Sequence, residues 1–212
     1  MTFFEQSTLP APIELVIAST NVHKIREFRA MLKPVFKFDV LSLCDFPNYK
    51  PPEETGATFE ENAILKAVHC ATALNRWTIA DDSGLVVSAL HGAPGIHSAR
   101  YAGQDATDAD NRKKLLDAMR HLLEEDRNAM FECCIALASP SGLKKCTRGI
   151  CEGTLLSQER GGGGFGYDPL FIKQGYNKTF SELEESTKNR ISHRRKALDK
   201  LLLSLESLLR RE

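Results

Sequence analysis

The apolar run Ile13-Glu14-Leu15-Val16-Ile17-Ala18 gives way at once to Ser19-Thr20-Asn21, and this junction limits the fold more than any other stretch of the chain. Six residues are too few for a buried helix and enough for a strand. The three that follow carry side-chain oxygens that can accept an orphan amide hydrogen at a helix start. A helix is therefore expected from about Val22 to Lys33, stopped by Pro34, which lacks the amide hydrogen a helix interior needs. A strand feeding directly into a helix is the building unit of α/β folds.

The pattern continues downstream. Residues Val35 to Leu43 alternate weakly and suggest a second strand. Thr58-Phe59-Glu60-Glu61 is a capping box, and Phe59, Ala63, Ala67, Cys70, Ala71 and Leu74 recur at helical spacing, predicting a helix over 59–74. Trp77 to Ala80 reads as a short buried strand ending in a turn at Asp81-Asp82-Ser83-Gly84, with Leu85 to Leu90 as a further strand. Thr107-x-x-Asp110 opens a helix expected to run through about Glu124. Phe131 to Ala138 and Lys144 to Thr154, separated by Ser139-Pro140-Ser141-Gly142, predict an antiparallel hairpin. Leu170 to Ile172 reads as a short strand and Ser181-x-x-Glu184 as another capping box. An amphipathic helix over Ile191 to Arg210 closes the chain. Strands alternating with helices, plus a hairpin, give an α/β fold with a mixed sheet.

Composition narrows the partners. Lys plus Arg number 28 and Asp plus Glu number 28, so the basic surplus that nucleic-acid binders usually carry is missing. No apolar run approaches the roughly 20 residues of a membrane helix, and the first residues lack a signal-peptide pattern. Neither nucleic acid nor membrane is expected as a partner. Cys44, Cys70, Cys133, Cys134, Cys146 and Cys151 form no C-x-x-C pair, and reduced thiols in a cytoplasmic protein are the economical reading.

Four stretches could carry chemistry. Ser19 to Lys24 (Ser-Thr-Asn-Val-His-Lys) places a hydroxyl, a carboxamide and a lysine at a helix N-terminus, which suits a phosphate group; a plain N-cap with a surface lysine would look the same. Asp81 and Asp82 are adjacent acids at the end of an apolar run, where like charges repel. A hard cation such as Mg²⁺ relieves that repulsion and prefers carboxylate oxygens, so Asp82 is a candidate metal ligand or water-activating base. Glu53 and Glu54 are further acids in a Pro-flanked loop. The run Gly161 to Pro169 sets Phe165 and Tyr167 to stack on a planar ring, with Asp168 at its edge; it lacks the Gly-Lys-Ser/Thr of a Walker loop. Last, Lys188, His193 and Arg194 could contact phosphate or base, or form a solvated basic helix face.

Together these motifs resemble the inosine triphosphate pyrophosphatase family over about Ile13 to Leu209. They are Ala18-Ser-Thr-Asn-x-x-Lys24, Glu53-Glu-Thr-Gly-x-Thr-Phe-x-Glu-Asn-Ala-x-x-Lys66, Ala80-Asp-Asp-Ser-Gly-Leu85, Gly95-Ile-His-Ser-Ala-Arg-Tyr101, Gly164-Phe-Gly-Tyr-Asp-Pro169 and Ser192-His-Arg194. The resemblance implies an elongated mixed sheet with flanking helices, two lobes around a central cleft, and a homodimer. It implies a single catalytic domain over 13–210, with residues 1–12 as a leader outside the pattern. It further implies Mg²⁺-dependent cleavage of non-standard purine nucleoside triphosphates (ITP, dITP, XTP) to monophosphate and pyrophosphate. Asp82 would be catalytic and hold the metal with Glu53, Glu54 or Asp81 being further partners. The run Ser19, Thr20, Asn21, Val22, His23 and Lys24, with Lys66, would take the triphosphate. Ser83, Phe165, Gly166, Tyr167, Asp168, Lys188, His193 and Arg194 would take the remainder, with Arg194 or an amide near Gly166 pairing with the C6 keto oxygen. A non-catalytic binder of nucleotide or RNA is the competing class, though two carboxylates serve no purpose in a polyanion binder. A pyrophosphatase of modified pyrimidine nucleotides is a third, against which the Phe-Gly-Tyr-Asp and Ser-His-Arg motifs speak.

Overall fold

Two parallel pairings and three antiparallel ones build a six-stranded mixed sheet of order β2-β1-β3-β4-β5-β6. The computed structural model describes residues 13–33 and 38–209; the leader 1–12, Pro34, residues 35–37 and Arg210 lie outside them. Strand β1 (Ile13–Ile17) lies between β2 (Phe38–Ser42) and β3 (Trp77–Val87), parallel to both. The crossovers carry α1 (Val22–Leu32) and α2 (Phe59–Leu74). Strand β3 then pairs antiparallel with β4 (Asn128–Ser139), which turns back through Pro140-Ser141 into β5 (Gly142–Leu155), and short β6 (Phe171–Lys173) closes the edge. Helices α3 (Asp108–Ala118), α4 (Glu185–Ile191) and α5 (His193–Leu209) complete the described residues.

Successive strand side chains point to opposite faces, and both faces are covered. One buries Leu15, Ile17, Ile79, Cys133, Ile135 and Leu137 beneath α1 and α5. The other buries Val16, Ala80, Cys134, Ala136 and Ala138 beneath the small-residue stripe of α2, namely Ala63, Ala67, Cys70 and Ala71. A third cluster, with Leu85, Val87, Leu115, Met119, Phe131, Phe171 and Phe180, lies where α3 and the chain around Tyr167 pack on the other end of the sheet. Full burial of each such side chain stabilises by about 1.5–3 kcal/mol, so the division into a three-helix end and an α3 end is firmly held.

Several local expectations need correction. Asp81-Asp82-Ser83-Gly84 is not a turn between two strands but the middle of one. β4 pairs along the whole stretch, from Thr78 opposite Ala138 to Val87 opposite Ala129. Gly84 is required there for packing: a Cβ would lie 2.4 Å from Ser98 Oγ and 2.5 Å from the Gly95 carbonyl, in the 3-10 turn Gly95–Arg100 that rests on β3. Helix α3 ends at Ala118, well before Glu124, because the Arg127 guanidinium donates to the Met119 and Leu122 carbonyls and fixes a turn. Ser181 does not open a helix; its hydroxyl donates to the Gly163 carbonyl. The C-terminal helix is two helices, broken at Ser192, whose extended backbone lets its hydroxyl accept the Arg195 amide and cap α5.

Candidate active site

Strand β1 stops beside Ile79, with the Ala18 amide donating to the Ile79 carbonyl at 2.8 Å, while β3 runs on for eight more residues. The gap beyond the end of β1 is where ligands characteristically enter open α/β sheets. A cavity of about 390 Å³ opens there, bordered by Ser19, Thr20, Asn21 and Lys24 together with Phe165 to Asp168, Lys188, His193 and Arg194. Asn21, rather than Ser19 or Thr20, caps α1: its Oδ1 accepts the His23 and Lys24 amides, and Ser19 Oγ accepts the Asn21 amide.

The two acids of β3 point to opposite faces, as strand geometry demands. Asp81 lies on the α1 and α5 side. Its Oδ2 receives Lys24 Nζ at 3.1 Å and Arg194 Nη2 and Nε at 2.9 and 3.2 Å, while Ser83 donates at 3.1 Å. Burial pushes this carboxyl up, but Lys24, Arg194 and Lys66 outweigh burial and hold it far below its ordinary value of 3.8. Asp82 lies on the α2 side, where Lys66 Nζ donates to its Oδ1 at 3.1 Å and Asn62 to its Oδ2 at 3.2 Å. Burial raises its carboxyl above the ordinary 3.8, reinforced by Glu54 and offset only in part by Lys66 and Lys24. Two neighbouring carboxylates driven in opposite directions are suited to different tasks. Asp81 is an anion that ties α1 and α5 to β3, and Asp82 is the carboxyl that burial pushes toward its protonated form.

Glu27 on α1 belongs to the same network and carried no role in the sequence analysis. It is buried, with Lys188 Nζ 2.9 Å from Oε1 and Arg194 Nη1 bonded to Oε2. Burial pushes its carboxyl up and the two cations more than reverse that, so it stays ionised. A signal was present: an acid on the apolar face of a helix, three residues after Lys24 and beside Phe28. Lys188 also donates to Asp168 at 2.5 Å, and burial, which would neutralise it, is outweighed by Asp168 and Glu27. His193 is driven the other way. Burial first, then Arg194 and Lys188, lower it well below 6.5, so its ring is neutral at pH 7. The ring stacks on Phe131 at 4.8 Å, and its buried Nδ1 has no hydrogen-bond partner.

The loop after the glycine run forms another part of the cavity wall. Asp168 Oδ2 accepts the Phe165 amide at 2.9 Å and Tyr167 donates to the Ser98 carbonyl at 2.9 Å. His23 does not border the cavity beside the phosphate-type residues. Its ring instead stacks on Phe165, with centroids 5.1 Å apart and planes at 11°. Val22 is 66 % exposed and also lies outside the cavity lining. Glu53 is exposed and outside the lining, whereas Glu54, pointing the other way along an extended loop, borders the cavity. The expected keto-reading donors are already engaged. Arg194 gives its hydrogens to Asp81, Glu27 and Ser83, and the Gly166 amide goes to Asp108.

The residues fit a divalent metal. Lys66 Nζ lies 2.8 Å from Glu54 Oε1 and 3.1 Å from Asp82 Oδ1, so a cation already bridges two carboxylates at the position where an ion would bind. Asp81 Oδ1 is buried without a partner. The cations Lys24, Lys66, Lys188 and Arg194 are each matched by a carboxylate, so a polyanion bound here would need further positive charge, and Mg²⁺ typically binds through one or two carboxylates plus phosphate oxygens.

The sequence model of the Ham1 family matches residues 15–203. The chain belongs to the Ham1 family. Its Ham1 relatives include a protein of Protochlamydia amoebophila named dITP/XTP pyrophosphatase, 58% identical over 197 residues that cover 92% of this chain and 99% of the relative. The protein of the same name from Chlamydia abortus is 54% identical over 94% of this chain and 98% of its own. Solved Ham1 structures share the fold. The Staphylococcus aureus Ham1 protein superposes with a TM-score of 0.80 at 43% identity over 92% of this chain and 98% of its own. The Coxiella burnetii HAM1 protein gives 0.82 at 40% over 92% and 99%. The family resemblance read from the motifs and the mixed-sheet fold are thus both borne out.

Proposed function

We propose that this chain is a nucleoside triphosphate pyrophosphatase that hydrolyses non-standard purine nucleotides (ITP, dITP and XTP) to monophosphate and pyrophosphate. The observation that carries the reading is one cavity bordered both by Lys24, Lys66 and Asp82 and by Phe165, His193 and Arg194. The names of its Ham1 relatives support it. Residues 13–210 act as one catalytic domain in this reading.

The triphosphate lies along the N-terminus of α1, where the helix dipole favours anions, and Lys24 and Lys66 take its non-bridging oxygens. Asp82, with its raised carboxyl, holds and orients the attacking water. The water oxygen bonds to the α-phosphorus as one of its protons passes to Asp82, the bond from that phosphorus to the α,β-bridging oxygen breaks, and the electron pair leaves with pyrophosphate. The lysines stabilise the charge that develops on this leaving group. Asp82 and Glu54 would hold Mg²⁺, which when bound neutralises phosphate charge and acidifies coordinated water. The purine lies against the Phe165 to Asp168 loop that borders the same cavity. His193 is the free donor for the C6 keto oxygen in its Nδ1-protonated tautomer, and an adenine amino group there would face donor to donor. Such a mismatch costs about 1–3 kcal/mol.

The deciding experiment measures kcat/KM for ITP, XTP, GTP and ATP with Mg²⁺ and identifies products. ITP and XTP far ahead of ATP and GTP, with pyrophosphate released, is the expected result; equal efficiency across the four, or release of single phosphates, refutes it. The proposal includes a homodimer in the cytoplasm, read by light scattering and cell fractionation. Among the described residues no helix is long and apolar enough to cross a membrane.

A further inference from the structure

The loop that carries Phe165 and Tyr167 is held by a helix that none of the chemistry-bearing motifs includes. Asp108 and Arg112 stand one turn apart on α3, and both reach the same residue. Asp108 Oδ2 accepts the Gly166 amide at 2.7 Å, and Arg112 Nη1 donates to the Gly166 carbonyl at 2.9 Å. Gly166 lies at φ +59°, in the left-handed region, where only glycine is comfortable and where the backbone does not hold itself by regular pairing. Arg112 Nε also lies 2.9 Å from Glu159 Oε1, an ion pair without hydrogen-bond alignment, just upstream of the glycine run. Both backbone hydrogen-bonding groups of the central loop residue are therefore committed to one face of α3, between Phe165, which borders the cavity, and Tyr167, which is buried in the third core cluster.

We propose that Asp108 and Arg112 are positioning residues for purine binding, acting as a clasp that sets the Phe165–Asp168 loop. This rests on the pyrophosphatase reading for what the loop contacts. Asp108 borders the cavity and Arg112 does not, so Arg112 acts only through the loop. The clasp makes its hydrogen bonds and ion pair to Gly166 and Glu159 and to none of Lys24, Lys66 and Asp82. Its loss weakens purine binding in ground and transition states alike, which raises KM and spares kcat.

The test compares wild type, Arg112→Ala and Arg112→Lys on two ligands: ITP as substrate, and inorganic tripolyphosphate, which has no ring, as competitive inhibitor. A charge-assisted hydrogen bond predicts that Arg112→Ala raises KM for ITP about tenfold or more. The same variant keeps kcat and the tripolyphosphate inhibition constant near wild type, and Arg112→Lys recovers part of the loss. Equal weakening of ITP and tripolyphosphate, or an unchanged KM, overturns the proposal. If the wild type hydrolyses no nucleoside triphosphate, the functional reading fails by itself, and hydrogen exchange then decides the clasp. Faster exchange of the Gly166 amide in Asp108→Ala than in wild type upholds it, and unchanged exchange overturns it.

Discussion

Asp81 and Asp82 are adjacent in the chain but serve different neighbours, and substitution should separate them. Asp82→Asn keeps the shape and removes the charge that both water orientation and metal binding use. It is expected to abolish turnover at saturating Mg²⁺ while leaving the thermal melting point near wild type. Asp81→Asn removes the anion that Lys24 and Arg194 share. Breaking a buried pair by removing one partner costs about 3–5 kcal/mol, so a marked drop in melting temperature is expected along with any loss of activity. The opposite pattern, a stable Asp81→Asn and an unfolded Asp82→Asn, would reverse the two roles. Lys24→Ala bears on the phosphate end. A charge-assisted contact contributes about 1.5–3 kcal/mol, so affinity for ITP should fall at least tenfold while that for inosine is unchanged; equal losses would mean that Lys24 acts through the fold.

At the scale of elements, α5 approaches the sheet through a gap that one glycine leaves. A Cβ on Gly149 of β5 would lie 2.2 Å from the His193 carbonyl and 2.4 Å from the Ala197 amide nitrogen, both backbone atoms that cannot rotate away. Gly149→Ala must therefore lift the start of α5, and with it His193 and Arg194. Overpacking of this kind costs about 1–3 kcal/mol; a lower melting temperature together with a raised KM for ITP is expected, and an unchanged KM would show that α5 repacks without moving the site. Helices were legible in the sequence where a local code sufficed: Thr58 does cap α2, its hydroxyl accepting the Glu61 amide, and the small-residue stripe fixed the buried face. The passage of β3 through Asp81-Asp82-Ser83-Gly84 was not legible. Those residues favour a turn locally, and only pairing with β4, distant in sequence, overrides them. Asn62 was quoted within a motif but its bond to Asp82 could not be read, because it depends on how α2 lies across β3. The α3 clasp was hidden for the same reason.

Over the whole molecule, the buried network of Glu27, Asp81, Asp168, Lys188 and Arg194 joins α1, β3, α4 and α5. Glu27 titrates below its ordinary 4.5 in the folded protein. A lowered carboxyl contributes stability that is fully present above the unfolded value and is lost as pH falls through the folded one. Melting temperature should therefore drop as the medium is acidified below pH 4.5, and Glu27→Gln, already less stable at neutral pH, should show a shallower acid decline. Parallel declines would place the acid sensitivity elsewhere. The alternation of β3 has a consequence for how this chain can vary. Because odd and even positions face different layers, insertion or deletion of a single residue between Ile79 and Asp81 would exchange the two acids, presenting Asp81 to Lys66 and Asp82 to Arg194. The count of residues along this strand is therefore a heritable constraint in its own right, beside the identities of Asp81, Asp82 and Gly84.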